Sequence, residues 1–188
     1  EQPLTAAAAR LGKDPVDLAL DISLADDLQT RFRMAVMNFD EKEVAELITD
    51  PNTIIALSDA GAHANQLCDA CYSTHLLAHW VRGNGTFTLE QAIHNLTQRP
   101  AELFGISDRG VLAEGRPADV VVFDPATVGP GPLKRVYDLP AGADRLISEA
   151  SGIDAVIVNG RVIRRDGKDA VAANDRLPGR VLRHGRAA

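Results

Sequence analysis

Two apolar runs, residues 32–39 and 53–57, bracket a helix-forming segment, and this order constrains the fold more than any other feature of the chain. The first run holds Met34, Val36 and Met37 with little alternation, the pattern of a strand covered on both faces. Asp40 and Glu43 make a capping box, Val44, Leu47 and Ile48 follow at helical spacing, and Asp50-Pro51 ends the helix. The second run, Thr-Ile-Ile-Ala-Leu, is the next strand. Residues 32–58 therefore read as one β-α-β unit, whose strands must be parallel and joined by a right-handed crossover.

Helices surround this unit. Residues 6–11 are helix-forming and stop at Gly12, and Asp14-Pro15 supplies a cap and a first-turn proline for Val16, Ala19 and Leu20. Leu76, Leu77, Trp80 and Val81 predict a further helix closed by Gly83-Asn84-Gly85. Thr88 and Gln91 form a second capping box before Leu89, Ala92, Ile93 and Leu96, and Pro100 opens a short helix that stops at Gly105. From about residue 108 the period changes to that of strands. Residues 118–124 read as a strand, and residues 155–164 as a hairpin with Asn159-Gly160 as its type I′ turn. Residues 129–142, with Pro and Gly and no period, read as a long surface loop.

Two parallel strands cannot form a fold by themselves. A closed (β/α)8 barrel needs eight strands and about 250 residues, and a doubly wound sheet needs about four or five strands. A lone parallel pair leaves two bare edges and cannot cover both faces. The expectation is an α/β chain that is incomplete, its edges covered by a partner chain or a second copy. The lack of an initial Met agrees with a start inside something longer.

Composition narrows the partners. The 188 residues carry a net charge of −6, which argues against nucleic acid or an anionic membrane. The basic cluster from Arg176 to Arg186 reads as a solvated tail. No apolar stretch approaches the roughly 20 residues of a bilayer span. The opening Glu1-Gln2-Pro3 lacks the regions of a signal peptide. With two cysteines there is no disulfide framework, so a reducing, cytoplasmic setting is expected.

The candidate chemistry follows the second strand, in Ser58-Asp59-Ala60-Gly61-Ala62-His63. In parallel α/β folds ligands bind at the carboxyl ends of strands. Asp59 stands there, and a carboxylate so placed can bind a metal ion or transfer protons. It can equally cap the next turn. His63 and Asn65 can reach the same mouth as donors to a substrate. Cys68-Asp-Ala-Cys71 could be a redox dithiol or two small buried thiols; zinc there would need two further ligands. His75 and His79 share a helix face but lack the Glu of H-E-x-x-H, and His94 points away from the apolar stripe.

The series "SDAGAH", "FTLEQAIHNLTQRPAELFGISDRGVLAEGRPADVVVFDP" and "IDAVIVNGRVIRRDGK" resembles the C-terminal part of the amidohydrolase superfamily, nearest its N-acyl-D-amino-acid deacylase (D-aminoacylase) branch. "GKDPVDLALDI" and "MNFDEKEVAELI" resemble the segments leading into that family's last two barrel strands. The resemblance implies the last two strands and helices of a (β/α)8 metal-dependent hydrolase barrel in residues 1–107, then part of a small β-sandwich in 108–188. It makes Asp59 the strand-eight carboxylate beside the metal, acting as general base and acid, with zinc as cofactor and other ligands upstream. The implied substrate is a small-molecule amide, an N-acyl-D-amino acid. Cys68 and Cys71 do not correspond to the family's ligand cysteine. Other readings left open are a non-catalytic subunit that completes a barrel with a partner chain, a cyclic-amide hydrolase, and a C-x-x-C redox module.

Overall fold

The computed structural model describes residues 2–35, 37–57, 62–68, 70–172 and 174–183, with the backbone of 186–187. Contacts group the chain into two units, Glu1–Val44 and Ala45–Ala188.

In the first unit, helices α1 (Leu4–Leu11) and α2 (Pro15–Ala25) pack through Ala7, Ala8 and Leu18, with Leu4 and Ile22 at the margin. Their ends obey local rules. Gly12 closes α1 at φ 63°, a left-handed conformation that costs glycine nothing, and Lys13 N–H returns to the Ala8 carbonyl at 3.0 Å. Asp14 caps α2 by accepting from Val16 N–H at 2.8 Å. The strand expected over 32–39 is absent from the described part of that segment, which is irregular and in no ladder; Val36 lies outside it. Phe32, Met34, Met37 and Phe39 are between 51% and 76% exposed. Apolar composition favours a strand, but only a neighbour that takes the backbone N–H and C=O groups makes one.

Helix α3 (Glu41–Thr49) spans the boundary of the units, with the Asp40 carboxylate accepting from Lys42 and Glu43 N–H. Residues 53–57 are irregular and likewise belong to no ladder, so the β-α-β unit is not formed among the described residues. Helix α4 (Tyr72–His75) runs into a π-helix, Leu76–Gly83, whose last turn closes with Asn84 N–H on the His79 carbonyl at 2.9 Å. The expected apolar face is there, since Leu76, Leu77 and Trp80 are buried; the wider turn is what the stripe could not show. Helix α5 (Leu89–Leu96) has both bonds of its capping box, Gln91 N–H to Thr88 Oγ1 at 3.2 Å and Thr88 N–H to Gln91 Oε1 at 2.9 Å. Helix α6 (Gln98–Leu103) starts two residues before Pro100 and is followed by Gly105 at φ 66°. Among the described residues no helix is long and apolar enough to cross a membrane.

The β part holds β1 (Val120–Phe123), β2 (Gly129–Pro130), β3 (Lys134–Val136), β4 (Arg145–Ile147), β5 (Ala150–Ser151), β6 (Ile153–Val158), β7 (Arg161–Arg165), β8 (Lys168–Asp169), β9 (Leu182–Arg183) and β10 (Arg186–Ala187). Four strands form a sheet in the order β1-β6-β7-β8, and β2-β5, β3-β4 and β9-β10 are separate antiparallel pairs. Asn159 and Gly160 have φ 47° and 79°, the type I′ turn expected of that pair. The expected loop over 129–142 is corrected: β2 and β3 lie within it, because partners at 145–151 pair with residues that carry no period of their own. Arg109 fastens the hairpin, donating to the Asp119 carboxylate and, at 3.0 Å, to Asn159 Oδ1. Arg82 on the π-helix donates to the carbonyls of Pro125 at 3.0 Å and Val128 at 2.8 Å, tying the helices to the strands.

Two glycines separate conformational strain from steric exclusion. At Gly160 an added Cβ meets nothing within 4 Å, whereas at Gly152 (φ 67°) it would stand 2.4 Å from the Val128 nitrogen. Gly160→Ala should cost about 1–2 kcal/mol, the left-handed penalty alone. Gly152→Ala should cost clearly more; urea denaturation of both variants, with equal losses, would contradict this. The Asp124 carboxylate, held below its ordinary value of 3.8 by the Ala126 N–H and then by the Thr127 hydroxyl, stabilises the fold above pH 3.8 and loses that effect as pH falls through its lowered value. Asp124→Asn should flatten the acid limb of a stability–pH curve.

Candidate functional site

Asp59, on which the catalytic and metal assignments rest, lies with Ser58, Ala60 and Gly61 outside the described residues. The chain on each side of them in sequence is held by long-range hydrogen bonds. Upstream, Thr53 Oγ1 donates to the carbonyls of Leu47 at 2.6 Å and Asp50 at 3.1 Å, tying the start of residues 53–57 to the end of α3. Arg99 donates through Nη2 to the Pro51 carbonyl at 2.5 Å and to the Thr53 carbonyl, and through Nη1 to Asn95 Oδ1 at 3.4 Å. Asn95 is itself buried on α5, so the guanidinium bridges that helix to residues 51–53.

Downstream, residues 62–66 form a turn in which the His63 carbonyl accepts from Gln66 N–H at 2.7 Å and Leu67 N–H at 2.9 Å. Strands β3 and β4 grip that turn. Leu146 N–H donates to the Ala64 carbonyl at 2.8 Å, and Arg135 Nη1 donates to the Asn65 carbonyl at 3.1 Å. Arg135 and Leu146 are cross-strand partners, and Arg135 is also paired with the Asp144 carboxylate, both half-buried. The turn is thus held by its backbone, leaving the side chains of His63 and Asn65 exposed to solvent.

The remaining candidates separate. Cys68 and Cys71 are half-buried reduced thiols, and the Cys71 thiol donates to the Cys68 carbonyl at 3.8 Å. His75 and His79 do share a face: their rings stack with centroids 5.1 Å apart and planes 13° from parallel, and His79 meets Trp80 edge-on. His94 is exposed, as its position off the apolar stripe implies. On β4, Arg145 grips Asp138 through two 2.7 Å hydrogen bonds, which hold the carboxyl below its ordinary value and raise the guanidinium. Among the described residues no three His, Cys, Asp or Glu side chains gather into a metal site. A cavity of about 710 Å³ lies between α5 and β1, lined by Leu89, Ile93, Val121 and Phe123 among others, and none of His63, Asn65, Cys68 or Cys71 reaches it.

Sequence reasoning missed the two arginines that hold this region. Arg99 left at most a faint signal, four residues after Asn95 but across the break between α5 and α6. Arg135 left none, because its partner Asn65 is 70 residues away. Replacing Arg99 by Met should cost about 1.5–3 kcal/mol in urea denaturation, the range for hydrogen bonds from a charged donor. Arg99→Lys should recover only part, since an ammonium cannot fork across two carbonyls and an amide.

Similarity to known proteins runs along almost the whole chain. The sequence profile of the amidohydrolase family matches residues 1–164. An N-acyl-D-glutamate deacylase of Alcaligenes xylosoxydans xylosoxydans is 34% identical over 185 residues, 97% of this chain and 33% of that protein. A D-aminoacylase of the same organism is 33% identical over 84% of this chain and 29% of its own length. Among solved structures, a D-aminoacylase described for its binuclear metal centre superposes at a TM-score of 0.51 with 27% identity, over 98% of this chain and 34% of that one. The chain therefore spans about a third of the length of the proteins it matches. With the profile covering most of its residues, the chain belongs to the amidohydrolase family.

Proposed function

We propose that this chain is the C-terminal portion of a zinc-dependent amidohydrolase that deacylates N-acyl-D-amino acids, with Asp59 as its proton-transfer residue. One observation carries the reading: identity of 34% to an N-acyl-D-glutamate deacylase extends over 97% of the chain rather than over one motif. In this reading residues 1–107 belong to the end of a barrel, and residues 108–188 to part of a sandwich beside it. Residues 53–57 would be the last barrel strand, and Asp59 would stand where such strands open into a ligand-binding mouth.

The described residues do not by themselves fit a zinc ion, since they bring no three donors together. Asp59 would be this chain's ligand, and the other donors would come from the rest of the protein. Bound zinc would supply Lewis-acid polarisation of the amide carbonyl. The chain's own contribution is the proton. The Asp59 carboxylate accepts it from the water that attacks the acyl carbon and returns it to the departing amine, so one group acts first as base and then as acid. His63 and Asn65, exposed on the turn that follows, would donate hydrogen bonds to the substrate. The bonds from Leu146 and Arg135 to that turn support this role, because a donor positions a ligand only when its own backbone is held.

The complete protein, supplied with zinc, should release amine from N-acyl-D-amino acids. Asp59→Asn should lower kcat by about 10²–10⁴-fold, the range for loss of a general acid–base group. Unchanged turnover in the variant would overturn the role of Asp59. Failure of the wild-type protein on every N-acyl-D-amino acid would overturn the substrate class.

A further inference from the structure

Strands β3 and β4 pair Lys134 with Ile147, Arg135 with Leu146 and Val136 with Arg145, and this short ribbon is braced at both ends. At its tip Arg145 clamps Asp138 through two 2.7 Å hydrogen bonds, and Gly142 N–H closes the loop on the Leu139 carbonyl at 3.1 Å. Toward its root the ribbon runs on to β2 and β5. Gly131 N–H donates to the Glu149 carbonyl at 2.6 Å, and Ser148 Oγ donates to the Gly131 carbonyl at 2.9 Å. Just before β2, the Val128 carbonyl is held by Arg82 of the π-helix. A ribbon fixed in this way can hold another segment still.

What it holds is the turn of residues 62–66. Two successive carbonyls, Ala64 and Asn65, accept from the cross-strand pair Leu146 and Arg135, one donor from each strand. The two bonds differ in kind. Leu146 gives a backbone N–H, which side-chain substitution leaves in place. Arg135 gives its guanidinium, and the same Nη1 also meets the Asp144 carboxylate. The side chains of this pair are 24% and 19% exposed, so water and salt screen it less than a surface pair.

The geometry points to Arg135 as a positioning residue for substrate binding, acting through the backbone of the turn that carries His63 and Asn65. This rests on the reading of those two residues as substrate donors. Arg135 itself touches no substrate. Within the turn, Gln66 and Leu67 N–H close on the His63 carbonyl, and the guanidinium adds a tether at Asn65 from outside. Substrate then meets donors already in place, and less freedom is lost on binding. The effect falls on KM, because donors that hold substrate equally before and during the reaction do not change kcat.

The test uses the complete protein with zinc and an N-acyl-D-amino acid. Arg135→Met should raise KM about ten-fold or more, the effect of one hydrogen bond from a charged donor, with kcat close to wild type. Arg135→Lys should recover part of the loss. Lys134→Met, which breaks an exposed pair with Glu149, should leave KM as it is. Loss of folded enzyme alone would lower apparent kcat and leave KM unchanged. Adding Asn65→Ala to Arg135→Met should raise KM by less than the product of the single effects, since both act through one turn. An unchanged KM in Arg135→Met, a fall in kcat alone, or effects that simply multiply would overturn the positioning role. Hydrogen exchange at Gln66 and Leu67 needs no turnover and should speed several-fold in Arg135→Met; unchanged exchange would overturn the hold on the turn. Should the wild-type protein cleave no N-acyl-D-amino acid, the deacylase reading fails and the substrate role with it, even where exchange shows the turn held by Arg135.

Discussion

Almost every residue presents a backbone donor and an acceptor that something must satisfy, and for residues 53–57 and 62–67 no strand ladder among the described residues does so. Side chains and backbone from later in the sequence do it instead. The carbonyls of Pro51 and Thr53 accept from Arg99, and those of Ala64 and Asn65 accept from Leu146 N–H and Arg135. These groups lie on both sides of residues 58–61 in sequence. Guanidinium suits the task because its fork can meet several acceptors at once without losing its charge. The path of the chain toward and away from the proposed catalytic carboxylate thus depends on helices and strands that come much later.

What could be read from the sequence was whatever is decided within a few residues. Asp14, Asp40 and the Thr88–Gln91 box mark helix starts because the groups they cap are two or three residues away. Asn159-Gly160 marks its hairpin because both residues tolerate positive φ. What could not be read depends on partners far along the chain. The pairing of Gly129 with Ser151 makes a strand of a residue with no strand-like neighbours. The apolar run at 32–39 has the composition of a strand and lacks the ladder. The π-helix is illegible for another reason: Leu76, Leu77 and Trp80 would be buried on either an α- or a π-helix, so the stripe is the same.

The candidate site divides the same way. Asp59 was picked from its place at the end of an apolar run before a glycine, a local pattern, and family resemblance gave that pattern a role. The arginines that organise the region escaped both, since neither a motif nor a period announces that a side chain will span from α6 to residues 51–53. Long-range positioning is written in the fold rather than in the neighbourhood of the residue that benefits.

Strand β4 brings these threads together. Leu146 gives its N–H to the Ala64 carbonyl, and Arg145, the residue before it, is held by Asp138. The partner strand β3 carries Arg135, which donates to the Asn65 carbonyl, so the two strands together support the turn bearing His63 and Asn65. The β part of the chain is then not an appendage to the helices. It sets the position of the loop through which the proposed chemistry would have to act.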